Sequence, residues 1–253
     1  MGVLQMHAHT VEKRLSYRRE RRVPDEWVAL PSETAARSNR VESRRFGRSA
    51  SGTELNSREV ARKVWHMLPG MLILGVPLLQ SFPLVAYHLP ALIVGFTAIL
   101  AILSLVNTQH FARPGERDWA ISVLGYAATA LVPLTVFPGH VELALAALVI
   151  LAFGDGAAAL AGLALRGPEL PWNSGKTVAG TLAFMLCAAP CATWIYWSMA
   201  RPSASFEMAL VNGTAAAAVA ALAESIRSPI NDNVRVGAAA TAMLLLLHWL
   251  TIG

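Results

Sequence analysis

The sequence predicts an all-α integral membrane protein with about seven transmembrane helices, preceded by a disordered basic tail. The chain of 253 residues is 55% hydrophobic and only 15% charged, whereas a typical soluble domain is about 25% charged. Its mean hydropathy is +0.46. Apolar stretches of roughly 20 residues, the length that crosses a bilayer, recur from Trp65 onward. This composition excludes an ordinary soluble enzyme, a disulfide-stapled secreted domain and a wholly disordered chain.

The first 57 residues form the predicted tail. They are rich in Arg, Ser and Glu and have no apolar periodicity, which is typical of disorder. Residues 1–63 hold 14 of the 21 Lys and Arg residues but only 8 of the 16 acidic ones. A basic segment beside a membrane span gains energy from anionic lipid, so lipid is expected as its partner and nucleic acid is not. We divide the chain into the tail, 1–57, and a polytopic domain, 58–253.

The polytopic domain contains seven apolar stretches of spanning length. The predicted spans lie near residues 64–82, 84–106, 119–137, 141–166, 177–200, 206–223 and 234–252. If the tail is cytoplasmic, the loops on its side and their flanks carry Arg113, Arg117, Arg166, Lys176, Arg227 and Arg235. The opposite loops carry only Arg201. The positive-inside rule therefore predicts a cytoplasmic N-terminus.

Asp155 is the first polar residue in a span that needs an explanation. An acid in mid-membrane costs about 2.5–3.5 kcal/mol on insertion scales. Asp155 lies in a stripe of small residues, Gly154, Ala158 and Gly162, and no basic residue lies within a helical turn of it. The sequence therefore indicates either a metal ion or a partner on another span. The alternative is a packing motif that tolerates one acid.

Gly175 and Lys176 stand where the chain begins its fifth span. The N-terminus of a helix offers free N–H groups and a positive dipole end, which suit an anion. The phosphate-binding loop of soluble NTPases also ends in Gly-Lys-Thr, but it needs a glycine where this chain has Leu170, and a preceding strand. An anion site is therefore predicted without that motif. The alternative is a helix cap with a lysine on the cytoplasmic side.

Two further polar segments lie on the predicted cytoplasmic side. Arg62-Lys63 and His66 open the first span, where a basic membrane anchor is the alternative. Residues 224–233 offer two carboxylates, Glu224 and Asp232, with neighbouring amides. Such oxygen ligands suit Mg²⁺, although a polar turn has the same composition. Bases facing acids on one side of the membrane suit a nucleotide held through its phosphates and Mg²⁺, beside a lipid that enters between helices.

The same residues resemble the polyprenol kinase family, which comprises dolichol kinases, phytol kinases and their bacterial relatives. Four motifs occur in the family order over residues 58–253. They read Arg62-Lys63 with His66, Gly154-Asp155 with Ala158 and Gly162, Ser174-Gly175-Lys176-Thr177 with Gly180, and Glu224-Ser225 with Asn231-Asp232-Asn233. The chain has Ala179 where the family usually has an acidic residue.

This resemblance implies a CTP-dependent kinase that phosphorylates the hydroxyl of an isoprenoid or related lipid alcohol at the cytoplasmic face. Mg²⁺ is the expected cofactor and CTP the phosphoryl donor. Catalytic roles are expected for Asp155, Lys176 and Glu224, and metal binding for Asp155, Glu224 and Asp232. Nucleotide or phosphate contacts are expected from Arg62, Lys63, His66, Ser174, Gly175, Lys176, Thr177 and Asn233.

Partners and location follow from the same prediction. The expected partners are the lipid alcohol, the nucleotide and membrane lipids, and a homo-oligomer is allowed. The Ala- and Arg-rich composition is typical of a bacterial source, so we expect a multi-pass protein of a bacterial plasma membrane.

Two other functions remain open. Phosphatidate cytidylyltransferases are distantly similar, because they also carry Gly-Asp-x-x-Ala, a Lys-Thr-x-x-Gly stretch and a late Glu-Ser. Their doubled lysines and longer C-terminal signature are missing from this sequence. A transporter with Asp155 as its ion-coupling acid would require inverted repeats, and we find no convincing repeat.

Overall fold

The computed structural model describes residues 57–108, 118–165 and 167–251, with side chains from residue 60 onward. The predicted tail, apart from its last residue, lies outside the described residues. The same holds for Arg113, Arg117 and Arg166, on which the predicted orientation partly depends.

The described residues fold almost entirely into helices. The helices are α1 (Ser57–Leu74), α2 (Val76–Leu79), α3 (Pro83–Val106), α4 (Trp119–Val136), α5 (Val141–Leu165), α6 (Val178–Met199), α7 (Phe206–Ser225) and α8 (Asp232–Thr251). Two short strands, β1 (Glu169–Leu170) and β2 (Asn173–Thr177), separate α5 from α6. Six of the described helices, α3 to α8, are long and apolar enough to cross a membrane. The prediction of an all-α, multi-pass membrane protein is therefore confirmed, and these six helices match six of the predicted spans.

The first predicted span, 64–82, is not one continuous helix. It is divided between the second half of α1 and the short α2, with a break at Gly75. Because α1 begins with a charged turn, it lacks the apolar length of the other six. The segment nevertheless runs beside the bundle: Lys63 contacts α5 near one end, and Gln80 accepts a hydrogen bond from Arg201 at the other.

Helix α5 is the central element of the fold. It packs against α1, α4, α6, α7 and α8, and every residue from Leu143 to Ala152 is at most 3% exposed. A helix that is hydrophobic on all sides is expected to be buried. Asp155 lies near the end of this buried stretch, and the bundle therefore fixes its position.

Small residues bring the helices close together. A Cβ added at Gly154 would collide with the buried ring of Phe184 on α6. Likewise, a Cβ at Gly213 of α7 would lie 2.6 Å from the backbone nitrogen of Thr193 on α6. Such close backbone approach is a common way for membrane helices to pack.

The strands β1 and β2 pair antiparallel and form a hairpin that the sequence analysis did not predict. The hairpin is attached to the C-terminal end of α7. Trp172 donates through Nε1 to Ser225 Oγ at 3.3 Å, and the Asn173 side chain donates to the Ser225 carbonyl at 3.0 Å. These bonds hold the hairpin, and with it Lys176, against the helix that carries Glu224.

Candidate active site

A cavity of about 830 Å³ lies within the bundle. Its lining comes from the starts of α4, α6 and α8 and the ends of α3, α5 and α7, together with α1 and β2. The structure thus brings all four predicted motifs to one end of the helices. The sequence-predicted residues that line it are Arg62, Lys63, His66, Asp155, Gly175, Lys176, Thr177, Glu224, Asp232 and Asn233. Ser174 is the exception: it is exposed and lies outside the lining.

The first charged cluster is centred on Asp155. Lys63 Nζ lies 2.8 Å from Asp155 Oδ2, and the two side chains are 12% and 15% exposed. His66 Nε2 lies 3.3 Å from the same oxygen. Lys63 and His66 are three residues apart, so both point from one face of α1. The partner that the sequence required for Asp155 is therefore present on another helix.

Tyr126, on α4, fixes the position of His66 from the other side. Its hydroxyl donates to the backbone carbonyl of His66 at 3.0 Å, and its ring meets the imidazole edge-on with centroids 4.6 Å apart. Tyr126 was not among the residues predicted for the site, because a tyrosine in an apolar span looks like an ordinary packing residue.

The second charged cluster is centred on Lys176. Its ammonium donates to Glu224, a side chain that is 3% exposed, and lies 3.4 Å from Asp232 Oδ2. Asp232 also pairs with Arg235, through Oδ1 at 2.7 Å. Burial on its own would lower the pKa of Lys176, but the Glu224 and Asp232 carboxylates outweigh it and raise the pKa above its usual range. Lys176 therefore stays a cation.

The anion site predicted at the start of the fifth span has a different structure. Lys176 lies on β2, two residues before α6 begins. The Gly175 N–H donates to Asn173 Oδ1 at 3.2 Å, and the Gly180 N–H donates to Thr177 Oγ1 at 3.1 Å. These N–H groups are therefore already satisfied, because the hairpin and a threonine N-cap use them. The lysine ammonium remains as the group that can attract an anion.

Two asparagines that flank Asp232 hold the start of α8 against α4. The Asn231 side chain donates to Ser122 Oγ at 2.8 Å, and the Asn233 side chain donates to the Ser122 carbonyl at 2.8 Å. Asn233 lines the cavity, but an amide N–H of its side chain is used by this contact. Ser122 was missed, since a lone serine at the start of a span carries no specific signal.

Comparisons with known proteins give no relative for this chain. No family model matches it, no curated protein matches it, and no solved structure matches it. The resemblance to polyprenol kinases therefore stands on the four motifs alone.

Away from the charged clusters, the cavity has apolar walls. They are formed by Pro69, Leu100, Ala101, Val123, Ala127, Leu148 and Leu163. Two tryptophans, Trp65 and Trp119, donate through Nε1 to the Oγ and the carbonyl of Ser104, each at 3.2 Å. One chamber thus combines cations and carboxylates with a surface that suits a hydrocarbon chain.

The three carboxylates predicted to bind a metal do not meet at one point. Among the described residues, the ligand atoms of Asp155, Glu224 and Asp232 do not lie together within 4.8 Å. The metal-binding roles of the three side chains stay a prediction, and a single ion held by all three would require them to move together. Mg²⁺ in phosphoryl-transfer sites is commonly held by one or two carboxylates plus the phosphates of the substrate. One or two of the carboxylates of Asp155, Glu224 and Asp232 would be enough for such a site.

Proposed function

We propose that the protein is a CTP-dependent lipid-alcohol kinase that phosphorylates an isoprenoid alcohol at the cytoplasmic membrane face. The observation that carries the proposal is the single cavity that joins two cation–carboxylate clusters to apolar walls. Phosphoryl transfer needs mainly positioning and charge stabilisation, and the substrate would be a molecule with a polar head and an apolar chain. The choice of CTP as donor comes from the family resemblance.

The cationic side chains would hold the nucleotide phosphates. Lys63 and Lys176 are each paired with a carboxylate, and the remaining N–H groups of each ammonium would donate to phosphate oxygens. Arg62 also lines the cavity, and its planar guanidinium suits phosphate oxygens. Three cations around the phosphates would stabilise the charge that develops during transfer.

Asp155 would act on the acceptor as general base. In the proposed reaction the lipid hydroxyl oxygen bonds to the γ-phosphorus, and the bond from that phosphorus to the bridging oxygen breaks. The nucleoside diphosphate leaves, and the hydroxyl proton passes to the Asp155 carboxylate. Lys63 Nζ donates to Oδ2 of this carboxylate at 2.8 Å, and His66 Nε2 lies 3.3 Å from the same oxygen, so the base is oriented before the alcohol arrives.

Mg²⁺, when bound with the nucleotide, would neutralise charge on the transferring phosphate. Glu224 and Asp232 are the carboxylates nearest to Lys176, and Asp155 lines the same cavity. We assign metal binding to one or two of these side chains together with phosphate oxygens.

The remaining topology belongs to the same proposal. The segment formed by α1 and α2 would cross the membrane as a seventh span, because its contacts reach both ends of the bundle. The cavity end would face the cytoplasm of a bacterial cell, in keeping with the positive-inside rule.

The test is transfer of label from γ-labelled CTP or ATP in detergent, with phytol, farnesol, geranylgeraniol, an undecaprenol-type alcohol and diacylglycerol as acceptors. Asp155→Asn should lower the rate by about 100-fold or more, because general-base catalysis contributes about 10²–10⁴-fold. Glu169→Gln is the matched control, since it removes an exposed carboxylate on β1 that does not line the cavity. Its rate should stay within about twofold of the parent protein.

Each outcome points to one function. Label in one lipid, with Asp155→Asn inactive and still monodisperse, supports the kinase. A CDP-lipid with released pyrophosphate would instead indicate cytidylyl transfer. No labelled or cytidylated product from folded protein would refute both enzymes and leave transport to be tested.

A further inference from the structure

A separate polar cluster, distinct from the two charged clusters of the cavity, lies at the opposite end of the bundle and outside the cavity lining. It consists of His140, in the loop between α4 and α5, Glu142, in the first turn of α5, and His248, in the last turn of α8. Glu142 and Asp155 are on the same helix, thirteen residues apart. At 1.5 Å per residue this separation is about 20 Å, so the His140–Glu142–His248 cluster is distinct from the proposed active site.

The three side chains converge on a small volume. One ligand atom from each lies within 4.8 Å of the other two. His140 Nδ1 is 3.0 Å from Glu142 Oε1, and His248 Nδ1 is 4.0 Å from the same oxygen. In a tetrahedral zinc site, with bonds of about 2.0–2.1 Å, neighbouring ligand atoms are about 3.3 Å apart. The two distances from Glu142 to the histidines lie on either side of this spacing, and the longer one exceeds it by about 0.7 Å.

Burial makes the cluster unusual. The side chains of Glu142 and His248 are 2% and 4% exposed, whereas that of His140 is 30% exposed. A carboxyl group removed from water either pairs with a positive charge or takes up a proton and becomes neutral. Among the described residues, the ion-pair partners of Glu142 are the two histidines. The neighbouring Arg201 instead directs its guanidinium to the Ala200 carbonyl and to Gln80 Oε1.

The surroundings fix the positions of the two histidine rings. The rings meet edge-on, with centroids 4.5 Å apart. Tyr196 Oη lies 2.8 Å from His248 Nδ1 in a buried hydrogen bond. Because this is the nitrogen that faces Glu142, a metal ion bound there would replace the hydrogen bond to Tyr196. The partly exposed His140 leaves one side open, where water can complete the coordination.

We propose that His140, Glu142 and His248 form a site for a divalent transition metal, with Zn²⁺ as the best-suited ion. Two imidazoles and one carboxylate are typical zinc donors, whereas Mg²⁺ prefers oxygen ligands alone. A bound ion would join the loop before α5 to the end of α8 and would supply a positive charge beside the buried Glu142 carboxylate.

The test uses the full chain in detergent, purified with a tag that contains no histidine and treated with a chelator. Zn²⁺ is titrated against a competing coloured chelator, and Co²⁺ is added separately to detect the visible absorption of a tetrahedral site. We expect a single Zn²⁺ per chain. His140→Ala should weaken binding by about 100-fold or more, because loss of even a partner behind the ligands costs about 10–100-fold.

Three further variants make the result specific. His88→Ala removes an exposed histidine of α3, and the double change Cys187→Ser with Cys191→Ser removes the thiols; both should bind Zn²⁺ as the parent does. Tyr196→Phe removes the hydroxyl that competes for His248 Nδ1 and should bind Zn²⁺ at least as tightly as the parent, with the same stoichiometry. Because His140 is in a loop and partly exposed, His140→Ala should melt within a few degrees of the metal-free parent.

The proposal is overturned if the parent protein binds no Zn²⁺ at micromolar concentration. It is also overturned if His140→Ala binds as tightly as the parent, or if the cysteine variant alone loses the site. Zinc-dependent protection of the parent against thermal unfolding, absent in His140→Ala, would support it by linkage.

Discussion

Removal of the Lys63 ammonium should strongly destabilise the fold through Asp155. In Lys63→Met the stem of the side chain is kept, but the carboxylate 2.8 Å away loses its main partner. At that separation and an effective dielectric constant of about 20, the Coulomb attraction is about 6 kcal/mol. Desolvation of the two largely buried groups, 12% and 15% exposed, offsets much of this attraction.

His66 limits the loss further. Its Nε2 lies 3.3 Å from Asp155 Oδ2, within reach of the carboxylate when Lys63 is absent. We therefore expect Lys63→Met to lower the free energy of unfolding by about 3 kcal/mol, the lower end of the range for breaking a buried pair. The double variant Lys63→Met with Asp155→Asn should regain about 2 kcal/mol of that loss, because no unpaired charge remains.

The assay is a double-mutant cycle, followed by denaturant-induced loss of helicity in mixed micelles. Arg227→Gln serves as the control, because it removes an exposed positive charge and should change the free energy of unfolding by less than about 0.5 kcal/mol. If the effects of Lys63→Met and Asp155→Asn simply add, the ion pair does not contribute to the fold and the reasoning fails.

Three other predictions concern single residues. Gly154→Ala should lower the free energy of unfolding by about 1–3 kcal/mol, because its Cβ meets the Phe184 ring. In contrast, Gly95→Ala, with nothing within 4 Å of its Cβ, should be neutral or stabilising by up to about 1 kcal/mol; equal losses in thermal melts would contradict the packing argument. Thr177→Ala should cost about 0.5–2 kcal/mol through loss of the α6 cap, and Thr177→Ser should retain most of it. Because the pKa of Lys176 is raised in the fold, its stabilisation should be fully present below pH 10.5 and decline as the pH rises through the folded-state pKa. Melting temperatures from pH 8 to about pH 12 should therefore fall more steeply for the parent than for Lys176→Met, and parallel curves would count against a raised pKa.

The sequence predicts the position of a helix well wherever the length of the apolar stretch alone determines it. For α3 to α8, every end lies within two residues of the predicted span. The first span was less accurate, because its apolar length was counted across Gly75, where the helix breaks. The β1–β2 hairpin was missed for another reason. Strand β1 has only two residues and pairs with the polar strand β2, and the segment has neither apolar alternation nor a typical turn sequence.

The residues of the candidate site were accessible because charge inside a membrane protein is rare and therefore informative. What the sequence could not give is the pairing. Lys63 with Asp155 and Lys176 with Glu224 are separated by 92 and 48 residues, and only helix packing selects these partners among several alternatives. Contacts to Ser122 and Tyr126 were missed, since isolated hydroxyls in apolar spans carry no pattern. The His140–Glu142–His248 cluster was missed because each residue, taken alone, is an ordinary loop or helix-end residue. Only the packing of the start of α5 against the end of α8 brings the three together.

Because α5 is buried on all sides between Leu143 and Ala152, this helix fixes the distance and the rotation between Glu142 at one end and Asp155 towards the other. A residue inserted within that stretch would turn everything after it by about 100° and advance it by 1.5 Å. Glu142 would keep its neighbours, while Asp155 would face away from Lys63. Side chains on all sides of α5 are packed, so the helix has no free surface on which to absorb the turn. The length of this one helix therefore sets the alignment of the two ends of the protein.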